Sequence, residues 1–405
     1  MHDYLVDKRR WISSSRFFHA LSICMLLPGP EAQQLAIYIG WKLHGKKGGL
    51  VAGILFVLPS MFILLGLSIL YTLYGKLPFI DALFSGLKPA VISIIILALY
   101  RVGKKALKTA LQFVAAGVAF ACIFFYDISM LSIIAGAIVL ALVIRKWFPS
   151  QLNQPQEEER PGSENERDYF LNKYSEVSGP EFGGKNLVRE LVSFFILWVF
   201  PLVLFYFFSA EFSFWKSLVF FFTQAAFFTI GGSYTVLPYV AQFAVTRLNW
   251  LSKSQMVDGF ALAETTPGPL IIVVTFVGFM AGYHHFQGSL WLGGVALLLT
   301  TYYTFLPCFL FIFAGGPLIE KSHGHAAIQS ILELVTAAVV GVILNLTLFL
   351  GKEVLFPAGG TGRHADYLSL GWIIISLILM LKWKLNFVII ILLSLLFGVF
   401  RFWIP

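Results

Sequence analysis

Apolar residues in this chain neither alternate as in a half-buried strand nor keep to one face of a helix; they run on without interruption. Continuous apolar stretches occupy about 48–74, 78–100, 106–126, 128–147, 187–209, 214–243, 286–315, 326–350, 367–382 and 385–404. A helix needs roughly 20 apolar residues to cross a bilayer. The pattern predicts an all-α polytopic membrane protein with about ten full spans.

Two further apolar segments are broken in the middle. "RRWISSSRFFHALSICMLLPGPEAQQLAIYIGW" and "NWLSKSQMVDGFALAETTPGPLIIVVTFVGF" each read Trp, apolar run, Pro-Gly-Pro, apolar run, and Trp11 stands as far from Pro28 as Trp250 does from Pro267. The offset at the breaks is 239; Pro59 and Ala90-Val91 match Pro307 and Ala338-Val339 at 248, so one insertion of nine residues near 283–290 accounts for the change. The chain therefore reads as two homologous repeats, 1–147 and 187–405, each with a Pro-Gly-Pro-broken helix or hairpin. Between them, 148–186 is rich in Pro, Gly, Ser and Asn and holds eight of the 21 acidic residues, which predicts a solvated cytoplasmic linker. Duplication of this kind is the usual construction of secondary transporters, with the substrate site near the midplane where the repeats meet.

Proline has no amide hydrogen and disfavours helix for the residue before it, so Pro-Gly-Pro ends one helix and starts the next. In lipid such a break survives only where it is buried in protein or lines a cavity. The second half-helix presents free N–H groups and about half a positive charge there; two such ends plus Lys88 sum to about +2, the complement of a dianion. Candidate substrate-binding residues are Pro28, Gly29, Pro30, Gln33 and Gln34 at the first break, Thr265, Thr266, Pro267, Gly268 and Pro269 at the second, the diglycine Gly231-Gly232, and Lys88.

Several of these have a plainer reading. Lys88 can snorkel or pair with Asp81 or Glu333. Thr265 and Thr266 can bond back to their own helix, and the diglycine allows close helix packing as well as an unwound turn. Gly45, Gly49 and Gly53, and the pair Gly278 and Gly282, read as packing faces. The carboxylates differ: Glu31 begins a half-helix, where the dipole favours an acid, whereas Glu264 precedes its break and gains nothing from the dipole. Both are candidates for proton coupling, Glu264 the stronger.

Composition agrees with lipid as the solvent. The chain is 58% hydrophobic and 12% charged, with mean hydropathy +0.81, too apolar for one water-soluble core. Its net charge of +8 sits in short loops, such as Lys42, Lys46 and Lys47, or Arg101, Lys104, Lys105 and Lys108, the positive-inside pattern rather than a nucleic-acid face. Cys24, Cys122 and Cys308 lie in apolar runs without CxxC spacing, which argues against disulfides or zinc. "GWKLHGKK" lacks the Ser or Thr a P-loop needs for magnesium, and "HGH" at 323–325 lacks further metal ligands. No catalytic constellation points to an enzyme, a metal or a cofactor.

With these motifs in hand, "MLLPGPEAQQLAIYIGW", "FVLPSMFIL", "FFTIGGSYTVLPYV" and "ALAETTPGPLIIVVTFVGF" closely resemble the chromate ion transporter family in its long, two-repeat form. The resemblance implies a multi-pass protein of the bacterial inner membrane that exports chromate at the expense of an ion gradient and confers resistance, with an oxyanion and the lipid bilayer as partners and a homodimer as a further assembly to test. Family members carry a Gly-Gly-Pro span ahead of the first Trp, so the first repeat is expected to lack one helix. A sulfate or other tetrahedral oxyanion transporter, and a truncated membrane protein that transports nothing, stand beside this reading. Parallel and inverted repeat orientations both remain open.

Overall fold

The computed structural model describes residues 1–147, 169–171, 184–229, 235–316, 326–357 and 365–403. Among these residues the secondary structure is helical, apart from one isolated bridge between Ile12 and Leu171. The α-helices in order are α1 (Ser14–Leu26), α2 (Glu31–Tyr74), α3 (Pro78–Ala106), α4 (Ala110–Tyr126), α5 (Met130–Trp147), α6 (Gly184–Phe208) and α7 (Phe212–Phe227). They continue with α8 (Val236–Thr246), α9 (Lys253–Glu264), α10 (Val273–His285), α11 (Leu290–Leu310), α12 (Ala326–Leu355), α13 (Tyr367–Leu381) and α14 (Phe387–Trp403).

Among the described residues, six helices are long and apolar enough to cross a membrane: α2, α3, α5, α6, α11 with its continuation to Gly315, and α12. Four shorter apolar helices, α4, α8, α13 and α14, accompany them. In α6 none of the apolar window is buried in protein, and Phe195, Phe200 and Phe207 are each more than half exposed. Leaving such a face in water costs about 25 cal/mol per Å², so hydrocarbon is the solvent that suits it. The chain is an all-α polytopic membrane protein.

One predicted span is not a single helix. Within 214–243, α7 stops at Phe227 and α8 starts at Val236. The Gly231-Gly232 pair with Ser233 and Tyr234 lies outside the described residues, as do "HGH" and the linker segments 148–168 and 172–183.

Two compact units each draw on both halves of the chain. The first comprises Met1–Leu58, Ile138–Ser233 and Tyr302–Leu332. Its core gathers Ile12, Phe17, Ile23, Cys24, Trp41, Cys308 and Phe313. Tyr303 Oη donates to the Trp198 carbonyl at 2.6 Å, and Trp198 Nε1 to Thr223 Oγ1 at 2.9 Å, tying α11 to α6 and α6 to α7. Inside this unit α2 bends at His44–Gly45, where Gly45 adopts φ 65°. Nothing lies within 4 Å of the place a Cβ would take on Gly45. That glycine serves a turn, not the packing face expected of it; Gly49 and Gly53 do pack, against Phe313 and Phe309.

The second unit comprises Pro59–Ala137, Tyr234–Thr301 and Glu333–Pro405. Gly86 and Gly398 bring the backbones of α3 and α14 into contact, and Gly278 and Gly282 seat α10 on Thr300 and Ala296 of α11. Asp366 caps α13 through the Ser369 N–H at 3.0 Å and pairs with Arg401 of α14 at 2.6 Å. Burial raises the Asp366 carboxyl, but the Ser369 bonds and the Arg401 guanidinium outweigh it and hold the group below its ordinary range.

Candidate functional site

In the first unit α1 ends at Leu26 because Pro28 and Pro30 cannot continue the ladder, and Leu27 turns extended at φ −88°, ψ 142°. Gly29 follows at φ 120°, a conformation that favours glycine. Its N–H donates to the Thr229 carbonyl at 2.7 Å. The Pro28 carbonyl accepts from Gln34 Nε2, and Gln33 Nε2 donates to the Gly53 carbonyl at 3.4 Å. Both glutamines are buried. A Cβ on Gly29 would stand 2.7 Å from Gln34 Nε2 and 2.9 Å from Cys308 Sγ. Glu31 is the first residue of α2 and half-buried, at the dipole-favoured end of that helix.

The second unit builds its break from α9, whose capping box pairs Ser252 with Gln255 and whose last residue is Glu264. Thr265 and Thr266 each donate their hydroxyl to a carbonyl of α9, Leu262 and Ala263, both at 2.7 Å. With its hydrogen committed, each hydroxyl presents only lone pairs to the break. Gly268 takes φ 152°, Pro269 starts a 3₁₀ turn over Leu270–Ile272, and α10 continues from Val273. The Pro267 carbonyl accepts from Ser60 Oγ of α2. Thr265, Pro267 and Gly268 are exposed whereas Thr266 and Pro269 are buried, so the turn is open on one side.

Two acidic residues lie on α9 itself. Glu264, at the helix end where the dipole disfavours an acid, borders a cavity otherwise lined by apolar residues including Val91, Ile94 and Ile95 of α3, Phe260 of α9, and Ile343 and Leu346 of α12. It has room for about one water and none for a tetrahedral oxyanion. About two turns earlier, Asp258 is buried with Oδ1 3.4 Å from Lys88 Nζ and Oδ2 accepting from Tyr71 Oη at 2.9 Å. Lys88 Nζ also donates to Ser254 Oγ at 2.8 Å, and Ser254 lines an open groove with Ser252, Gln255 and His284. The ion pair of Lys88 is thus with Asp258, a residue the sequence alone does not single out, rather than with Asp81 or Glu333.

The structure thus gathers Glu264, Thr265, Thr266, Pro267, Gly268 and Pro269 in the second unit, and Pro28, Gly29, Pro30, Glu31, Gln33 and Gln34 in the first. It adds Ser60, Tyr71, Ser254, Asp258 and Cys308. Two of these carry a sequence signal: Ser60 and Cys308 both follow the helix prolines Pro59 and Pro307 that set the 248-residue offset.

The family model described as chromate transporter matches residues 1–142 and 216–399, more than half the chain. The chromate transport protein of Pseudomonas aeruginosa is 30% identical over 400 residues, 96% of this chain and 83% of its own length. That of Cupriavidus metallidurans is 29% identical over 356 residues, 87% of this chain and 77% of its own. A probable chromate transport protein of Synechococcus elongatus is 28% identical over 356 residues, 88% and 79% of the two chains. No solved structure matches significantly. The chain is a member of the chromate transporter family.

Proposed function

We propose that this protein is a secondary active transporter that exports chromate across the bacterial inner membrane and so confers chromate resistance. The observation that carries this reading is the pair of Pro-Gly-Pro breaks, each with a glycine at positive φ, in a chain of this family. Helix starts support the two repeats: Ser14 and Lys253 open α1 and α9 at an offset of 239, and Met130 and Phe387 open α5 and α14 at 257. Residues 1–147 and 187–405 are then the repeats, joined by 148–186. The half-helix N-termini favour an anion, and the named relatives make chromate the first substrate to test.

A dianion leaving a negative interior gains about 4.6 kcal/mol per 100 mV, at roughly 2.3 per charge. Everted vesicles from cells expressing the chain are therefore expected to take up labelled chromate faster than vesicles without it, and intact cells to accumulate less. Equal uptake with the protein shown in the membrane would refute chromate export; uptake of labelled sulfate in preference to chromate would reassign the substrate.

Glu264 is the residue proposed to carry the coupled proton, because its cavity admits a water and not the anion. Glu264→Gln is expected to abolish pH-gradient-driven chromate movement while leaving gradient-free anion exchange intact. Glu31→Gln, at a favourable helix start, is expected to cost only about 0.3–1 kcal/mol of local stability. Loss of exchange in Glu264→Gln would move that residue from coupling to binding or structure.

A further inference from the structure

The two breaks leave the same backbone group without a helical partner and satisfy it in different ways. In a continuous helix the carbonyl of the first proline accepts from the N–H four residues on; here a side chain takes that place. At the first break Gln34, from the half-helix itself, donates to the Pro28 carbonyl. At the second, Ser60 of α2 donates to the Pro267 carbonyl.

The counterpart positions are complementary. At an offset of 239 the counterpart of Gln34 is Val273, which has no donor; at 248 the counterpart of Ser60 is Cys308, whose thiol is a weak one. Cys308 nevertheless lies against Gly29 as Ser60 lies against Gly268. Where the half-helix supplies a strong donor, the facing helix has a thiol. Where the half-helix is apolar, the facing helix has a hydroxyl.

We propose that Gln34 and Ser60 are equivalent positioning residues, each capping the first proline carbonyl of its break, and that the cap can be supplied from either helix. An uncapped carbonyl in low dielectric is costly and would compete for the free N–H groups of the following half-helix, the groups an anion at the break would use. Its lone pairs also repel a dianion. The transport consequence rests on the breaks being the oxyanion site; the consequence for folding does not.

The test uses the full chain, with chromate uptake by everted vesicles and thermal unfolding in detergent measured in parallel. Ser60→Ala is expected to lower the initial rate at sub-saturating chromate on the order of tenfold and to lower the melting temperature. Ser60→Cys alone is expected to do nearly as badly. Ser60→Cys/Val273→Gln, which gives the second break the residues of the first, is expected to regain most of both. The converse pair at the first break, Gln34→Val/Cys308→Ser, is expected to outperform Gln34→Val, and it decides the matter if glutamine overfills position 273. Wild-type behaviour of Ser60→Ala, Ser60→Cys matching the double variant, or neither pair recovering would overturn the proposal. If the wild-type chain moves no chromate, the functional reading fails, and the melting temperatures still decide the cap.

Discussion

Replacing Lys88 by methionine is expected to remove about 3–5 kcal/mol of folding stability, the cost of leaving a buried carboxylate without its cation. Asp258 is only 4% exposed, with one oxygen facing Lys88 Nζ and the other accepting from Tyr71. Among the described residues no other cation pairs with Asp258. Asp258→Asn is expected to cost less, because an amide oxygen still accepts from Tyr71 and the Lys88 side chain, 21% exposed, keeps its bond to Ser254. The double variant Lys88→Met/Asp258→Asn is expected to return to within ~1 kcal/mol of wild type, since no unpaired charge remains. Unfolding by added sodium dodecyl sulfate in mild detergent measures all three. A double variant as unstable as Lys88→Met would show that the cost comes from lost packing. Transport then separates structure from function: the proposal that Lys88 serves the anion route predicts a stable double variant that moves no chromate.

The parts of this fold legible in the sequence are those whose chemistry is local. A spanning helix needs no polar face, whether it meets hydrocarbon as α6 does or is largely buried in protein as α3 and α12 are, so the length of an apolar run marks a span directly. Pro-Gly-Pro announces its own break because the missing amide hydrogen is a property of proline. Run length cannot see where an apolar helix stops, which is why 214–243 reads as one span although α7 and α8 divide it. Gly45 illustrates the same limit, since small residues at a spacing of four look alike whether they pack a helix or turn it. Charge pairing is less legible still. Asp81 and Glu333 are natural partners for Lys88 on the sequence, yet its partner lies 170 residues downstream on α9, where only tertiary packing places it. The sequence marks the place of Ser60, next to Pro59, but not its bond, as its acceptor belongs to a distant half-helix. The hydroxyls of Thr265 and Thr266 take the local option, bonding back to α9.

Gly268→Ala is the other substitution with a large expected effect, and two separable causes contribute to it. At φ 152° the backbone is in a region L side chains rarely adopt, which costs on the order of 1–3 kcal/mol. A Cβ would also run into Ser60 Oγ and stand 3.0 Å from Ser60 Cβ, adding about 1–3 kcal/mol of overpacking, because rotation moves the Oγ only by giving up its bond to the Pro267 carbonyl and leaves the Cβ contact in place. Ser60→Gly in the same chain removes the crowding but leaves the strain and also removes the hydroxyl that caps the Pro267 carbonyl, so the double variant is expected to recover at most part of the lost melting temperature. Gly29 provides the contrast. Its φ of 120° is strained as well, but a Cβ there meets only side-chain ends, Gln34 Nε2 at 2.7 Å and Cys308 Sγ at 2.9 Å, and no side-chain Cβ, so rotation relieves the crowding, with Gln34 loosening its bond to the Pro28 carbonyl. Gly29→Ala is therefore expected to melt above Gly268→Ala and to retain more chromate uptake. The reverse order would mean that side-chain crowding does not set the tolerance of the breaks, and full recovery by Ser60→Gly would mean that the second break is held by packing and not by the conformation of its glycine.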